Sequence, residues 1–269
     1  MPVKENRADS TRRHWLATLE QFCRDRDAPG SEKFWSPELD TASRERLREI
    51  HDAKIAAVVP FLFENSAFYR RRFERLGLVP SDIRNADDLV AKWPAVTKTE
   101  MAEDALAHPP YGTYTAMTPE IWAQRGWMMF LTSGSTGAPR EFRYSHIDRD
   151  YWAWANARAL HAMGFQKGDT ILMVTGYGPH VFAWGVQAAL AKMGLPTIPC
   201  GGMDARARAN AILRFKPTIF LTTPSYALHL GRVMQDLGAD PRTTSIRTIF
   251  VGGEPAMSVA STRHRIQEL

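Results

Sequence analysis

Between positions 132 and 140 the chain reads Thr132-Ser133-Gly134-Ser135-Thr136-Gly137-Ala138-Pro139-Arg140, a run of hydroxyls, two glycines and a cation. Glycine lets a backbone come close to a ligand and adopt dihedrals closed to other residues. Successive N–H groups in such a loop converge on an anion, and short hydroxyls add donors. Arg140 brings positive charge, so the set suits a polyphosphate. On composition alone, the run is equally a Ser/Gly surface turn. Its spacing excludes two common nucleotide loops. Gly134 and Gly137 stand too close for G-x-x-x-x-G-K-S/T, and the pattern is not G-x-G-x-x-G.

Two further segments carry candidate chemistry. Gly252-Gly253-Glu254-Pro255 follows an apolar run, where α/β sheets bind ligands outside the carboxyl ends of their strands. A plain strand-to-helix turn would read the same. Tyr177-Gly178-Pro179-His180-Val181-Phe182-Ala183-Trp184-Gly185 concentrates rings beside one histidine. His180 is either a pocket residue or a helix-start residue, while Phe182 and Trp184 are either pocket or core. Flat rings there would favour a flat ligand. His146, His161 and His229 show no metal-ligand spacing, no G-x-S-x-G elbow is present, and Trp152 and Trp154 read as packing.

These groups need a scaffold. Buried-strand segments fall at 127–131, 170–174, 197–199, 218–221 and 248–251, separated by helical stretches at about 148–163, 181–192, 205–215 and 225–237. Such alternation predicts parallel crossovers and an α/β fold, a largely parallel sheet flanked by helices. The first third reads as helical. A helix over Thr41–Asn65 is expected to kink or break at Pro60. Ser66 should cap a second helix that stops at Gly77, and 81–98 reads as a connection rich in turns. The expected organisation is a helical N-terminal region, 1–125, packing on an α/β nucleotide- and acyl-binding region, 126–269. The last helix-like stretch, 257–269, lacks a C-cap glycine and looks cut.

With 269 residues, 44% hydrophobic, 23% charged, net charge +5 and pI about 9.3, the chain reads as a soluble globular protein. The basic excess is partly local, at Arg12, Arg13, Arg24, Arg26 and again at Arg70, Arg71, Arg72 and Arg75. Solvated helix faces explain it best. Acidic small molecules come next, and nucleic acid is disfavoured because no aromatic-interleaved basic stripe accompanies it. Cys23 and Cys200 form no metal or disulfide pattern, which fits a reducing compartment. No apolar run approaches the ~20 residues that span a bilayer, and the first fifteen residues are not a secretory signal. A cytoplasmic location is expected.

The loop at 132–140 resembles the signature Thr-Ser-Gly-Ser-Thr-Gly-x-Pro-Lys of the adenylate-forming superfamily, with Arg140 in place of the usual lysine. Charge is kept, although arginine and lysine handle phosphate differently. Within that superfamily, further blocks resemble the phenylacetate–CoA ligase family, in its order. They are Asn65-Ser66-Ala67-Phe68-Tyr69-Arg70, Asp87-Asp88-Leu89 with Trp93-Pro94-Ala95-Val96-Thr97-Lys98, Gly176-Tyr177-Gly178, Thr223-Pro224-Ser225-Tyr226-Ala227-Leu228, and Gly252-Gly253-Glu254-Pro255. The likeness spans about 34–269. One departure stands out: His180 replaces a usual phenylalanine, and Phe182 and Ala183 replace paired glycines. This reshapes the acyl pocket and puts phenylacetate itself in doubt. The Pro-His pair resembles other acyl and aryl ligases, in which an equivalent histidine contacts or gates the acyl site.

The resemblance implies the N-terminal part of the adenylate-forming fold. Thr132, Ser133, Gly134, Ser135, Thr136, Gly137 and Arg140 would bind phosphates, with Gly252, Gly253, Glu254 and Pro255 against adenine. Tyr177, His180, Phe182 and Trp184 would line the acyl pocket. It also implies ATP with Mg2+ and coenzyme A as co-substrate: a carboxylic acid, expected to be aromatic, becomes an acyl-adenylate and then a thioester. The family's magnesium-site glutamate, ribose-binding aspartate and catalytic lysine are expected beyond Leu269, in a C-terminal part absent here. Alone, the chain is expected to be an inactive fragment. Its expected partners are the small-molecule acid and either a second copy or a complementary C-terminal chain, with no nucleic acid and no membrane. Two alternatives stay open: a non-catalytic or partner-dependent nucleotide- or acyl-binding subunit, and an unrelated phosphotransferase that uses the loop for ATP.

Overall fold

Residues 6–23, 28–132 and 140–268 are described in a computed structural model. Two compact units divide the chain, Met1–Asp148 and Arg149–Leu269. The first contains α1 (Arg7–Phe22), α2 (Pro37–Asp40), α3 (Arg44–Asn65), α4 (Ala67–Leu76), α5 (Ala86–Lys92), α6 (Lys98–Ala107) and α7 (Pro119–Gln124). A hairpin of β1 (Trp127–Leu131) and β2 (Glu141–Ser145) follows. α8 (His146–Ala162) then leads into the second unit, with β3 (Ile171–Met173), α9 (Val181–Lys192), β4 (Thr197–Pro199), α10 (Ala205–Phe215), β5 (Ile219–Thr222), α11 (Pro224–Asp236), β6 (Thr248–Val251) and α12 (Ala260–Gln267).

Local signals explain the helical unit. Ser43, Ser66 and Thr97 each accept a backbone N–H of the helix they open, removing an orphan donor. Gly77 ends α4 at φ 66°, a conformation that costs glycine little. Pro60 neither breaks nor ends α3, which runs unbroken past it to Asn65. Burial of Ile50, Ala57 and Val59 offsets the hydrogen bond that proline removes.

In the second unit the sheet order is β4-β3-β5-β6 and every pairing is parallel. β3 and β5 are buried along their whole length, as expected of strands covered on both faces. Leu172 and Phe220 join Ala209, Ala211 and Ile212 of α10 and Ala227, Leu230 and Met234 of α11 in one apolar cluster. β1 belongs to no parallel pair among the described residues. It runs antiparallel to β2, a strand the sequence pattern had not marked, with Leu131 opposite Glu141 and Trp127 opposite Ser145.

The order fixes where a ligand can sit. From β3 the chain leaves through α9 towards β4 on one side, and from β5 it leaves through α11 towards β6 on the other. Neighbouring strands whose connections part in opposite directions form a switch point, and the crevice beyond their carboxyl ends takes ligands.

Candidate functional site at the carboxyl edge of the sheet

In the first unit the hairpin is tied at Thr132 and Arg140. Thr132 donates its amide to Arg140 O at 3.0 Å, and Arg140 donates its own to Thr132 Oγ1 at 3.1 Å. Nε of Arg140 is buried without a partner among the described residues. Ser133, Gly134, Ser135, Thr136 and Gly137 lie outside the described residues.

In the second unit three segments gather where β3, β5 and β6 end. After β3, the Tyr177 hydroxyl donates to Gln187 Oε1 of α9 at 2.8 Å. Its ring meets Trp184 edge-on, with centroids 5.0 Å apart and planes at 77°. Trp184 Nε1 donates back to Gly178 O at 3.0 Å. Together these bonds pin the glycine-proline turn onto the start of α9. Burial pushes the Tyr177 phenol above its ordinary pKa, so it stays a neutral donor. His180 is the residue before α9, is exposed, and makes no side-chain capping bond. The helix-start role open to it is therefore not met by a hydrogen bond.

Phe182 is 40% exposed, so it is not core. Its ring edge lies beside Gly252, 3.7 Å from where a Cβ on that glycine would stand. Gly253 sits at φ 84°, in the region that favours glycine, with Thr223 Cγ2 3.8 Å from its missing Cβ. Glu254 reaches across to α11 and accepts from Ser225 N at 3.0 Å and Ser225 Oγ at 2.7 Å. Those bonds hold its carboxyl below the usual range, so it is an anion at neutral pH. Pro255 is exposed and opens a short 3-10 turn, Pro255–Ser258.

The structure thus brings Phe182 to Gly252, and Glu254 to Ser225. Gln187 was not singled out by sequence, and Ser225 only as part of the block Thr223–Leu228, with no role given to it. The helix-opening order Thr223-Pro224-Ser225 was the available signal for the latter, since it places a free amide and hydroxyl at the first turn of α11. Arg208 is another: it donates to Cys200 O and Gly201 O at 2.9 and 2.8 Å and lies over the Tyr226 ring, tying the turn after β4 to α11. Chemically, the edge offers open glycine backbone, a fixed carboxylate and a group of aromatic rings. Among the described residues no group of three His, Cys, Asp or Glu side chains could hold a metal ion. Cys23 and Cys200 are both buried, and no described helix is long and apolar enough to cross a membrane.

Comparison with known proteins adds the following. The profile of the family described as "AMP-binding enzyme" matches residues 49–267. Phenylacetate-coenzyme A ligase of Aromatoleum evansii is 30% identical over 217 residues, 81% of this chain and 47% of that protein. The enzyme of the same name from Escherichia coli (strain K12) is 30% identical over 218 residues, 81% of this chain and 48% of that protein. A crystal structure of 2-hydroxyisobutyryl-CoA ligase in complex with 2-HIB-AMP and CoA is similar at a TM-score of 0.82 and 29% identity, covering 89% of this chain and 50% of that one. The chain spans about half the length of the curated relatives it matches.

Proposed function

We propose, from the premise that the chain belongs to the AMP-binding enzyme family, that it supplies the nucleotide- and acyl-binding half of an acid–thiol ligase. The observation that carries this reading is the meeting of Phe182 with Gly252 and of Ser225 with Glu254. It joins the aromatic rings after β3 to the open-backbone corner at the carboxyl edge of one sheet. An adenylate linked to an acyl group needs these two surfaces side by side.

In this reading the Gly252–Gly253 backbone meets adenine closely because neither residue carries a Cβ. The Ser225 bonds hold Glu254 in a fixed position at that corner. Tyr177, Phe182 and Trp184 wall the acid, and His180 stands at the start of α9 with its ring nitrogens unspent by capping. The loop at 132–140 grips the phosphates through Ser133, Ser135 and Thr136, with Arg140 as cation. A carboxylate then attacks the α-phosphate of ATP, forming the acyl–phosphate bond as pyrophosphate leaves. A thiol, coenzyme A, displaces AMP to give the thioester. The protein contributes positioning and charge stabilisation. Mg2+ would accompany ATP and neutralise phosphate charge. The relatives' names support a carboxylic acid as substrate, and the group of aromatic rings favours an aromatic one.

Calorimetric titration of this chain with AMP tests the nucleotide corner. Saturable binding is expected, weakened about three- to tenfold by Glu254→Ala, the scale of one or two lost hydrogen bonds. No binding would remove the reading. In the longest natural protein that contains this chain, Thr136→Ala should slow acid-dependent pyrophosphate release by about ten- to a hundredfold. An unchanged rate would take Thr136 out of the phosphate site. AMP binding without pyrophosphate release, restored by a complementary chain, would identify a partner-dependent subunit instead.

A further inference from the structure

Arg143, on β2, is surrounded by rings. Its guanidinium carbon lies 3.9 Å from the centroid of Tyr111, 4.4 Å from Trp122 and 5.6 Å from Trp127. The rings brace one another: Trp127 meets both Tyr111 and Trp122 edge-on, with centroids 5.9 and 6.3 Å apart. This is a rigid cage, because rings contribute area with few rotatable bonds.

Nothing in the cage neutralises the charge it holds. No carboxylate among the described residues pairs with Arg143. Asp104 and Asp148 are engaged elsewhere. Asp104 is bound by Arg71 and by both the amide and the hydroxyl of Thr113. Asp148 accepts from Ser145, and Glu141, on the same face of β2 two residues away, forms no ion pair with Arg143 among the described residues. Partial burial holds the guanidinium below its ordinary pKa, opposed only by the phenols of Tyr111 and Tyr114. Trp122 Nε1 is buried with no hydrogen-bond partner among the described residues. A structural cation–π staple would satisfy the rings and leave that donor unspent. A partly desolvated cation with no counter-ion gains far more from an incoming anion than a solvated surface arginine does.

We propose that Arg143 and its aromatic cage form a binding site for a phosphoryl group of a small-molecule ligand. The planar fork takes two phosphoryl oxygens at once, and a tetrahedral group leaves a third for the neighbouring phenol. A planar carboxylate lacks that third oxygen. The inference rests on the cage and not on the ligase reading, so it is tested separately. Calorimetry at low ionic strength would compare inorganic pyrophosphate, coenzyme A, 3′-dephospho-coenzyme A and benzoate, on the wild-type chain and on Arg143→Met and Arg143→Lys. At least one phosphate probe should bind the wild type and lose about tenfold or more in affinity in the Met variant, with a smaller loss for Lys. Discrimination against the dephospho form assigns the site to the 3′-phosphate; equal binding of both forms assigns it to a pyrophosphate group. The proposal is overturned if no phosphate probe binds, if Arg143→Met binds as tightly as wild type, or if benzoate binds equally well. If the Met variant does not fold, Arg143→Lys decides: lost affinity at an unchanged melting temperature supports the site, and unchanged affinity removes it.

Discussion

Gly185 sits in the middle of α9 because nothing larger fits. A Cβ there would stand 2.3 Å from Cζ2 and 2.7 Å from Cε2 of Trp152 on α8. Helix propensity and packing predict opposite signs at this position. In an exposed helix, glycine to alanine gains up to about 1 kcal/mol. Here the added methyl must displace an indole packed against the helix, so Gly185→Ala is expected to destabilise by about 1–3 kcal/mol. Denaturant unfolding separates the two, and a stabilised variant would show that Trp152 moves freely. The glycine itself was legible in the sequence only as the end of the ring-rich segment. Its reason lies across an interhelical contact that spacing cannot reveal.

At the scale of elements, Ser66 shows how much one junction can carry. Its amide closes α3 on Leu62 O, its hydroxyl accepts from Tyr69 N to open α4, and the same hydroxyl donates to Thr113 O at 2.9 Å. Ser66→Ala should cost about 1–2 kcal/mol, the upper range for a lost cap, because a carbonyl loses its donor as well. The midpoint of denaturation would report it. The cap at Ser66 and the stop at Gly77 were legible because both act within one turn of chain. β3 to β6 and the helices between them were legible for a similar reason, since apolar runs bounded by polar turns announce buried strands. β2 was not. Glu141-Phe142-Arg143-Tyr144-Ser145 is polar and short, and becomes a strand only by pairing back on β1. Pro60 does not break α3, because apolar burial along 22 residues of helix outweighs the local rule. At the candidate site the Gly252–Pro255 corner and the rings of 177–184 stood out as blocks. Their pairing did not: Ser225 stood within its own block, Thr223–Leu228, but it lies 29 residues from Glu254, and only the parallel sheet brings them together.

Across the second unit as a whole, the two edges of the sheet do different work. At the amino edge, just before β3, β5 and β6, a buried carboxylate collects three segments. Asp169 accepts from Thr218 Oγ1 at 2.7 Å, from Gln166 N at 2.9 Å and from two nitrogens of Arg247, which also reaches Gly164 O. Burial pushes this carboxyl upward, but the bonds from Arg247, Thr218 and Gln166 outweigh it, and the net pKa falls below the ordinary value. A depressed pKa contributes stability that is complete above about pH 4 and is lost as pH falls through the folded value. Asp169→Ala should therefore cost about 1–3 kcal/mol, the cost of leaving buried donors unmet, because the Arg247 it strands is 40% exposed and can be solvated, and should flatten the acid limb of the stability profile. Melting temperature against pH would check both, and a variant that keeps the wild-type acid limb would rule out this latch as its source. The opposite edge carries the glycine corner and the rings, three or four residues further along each strand, about 10–13 Å away. Sites at that separation with no shared partners respond additively to substitution. Laboratory evolution could thus reinforce the Asp169 end first, then spend the added robustness on exchanging ring residues at 177–184, provided the Gly185–Trp152 pair is carried along intact.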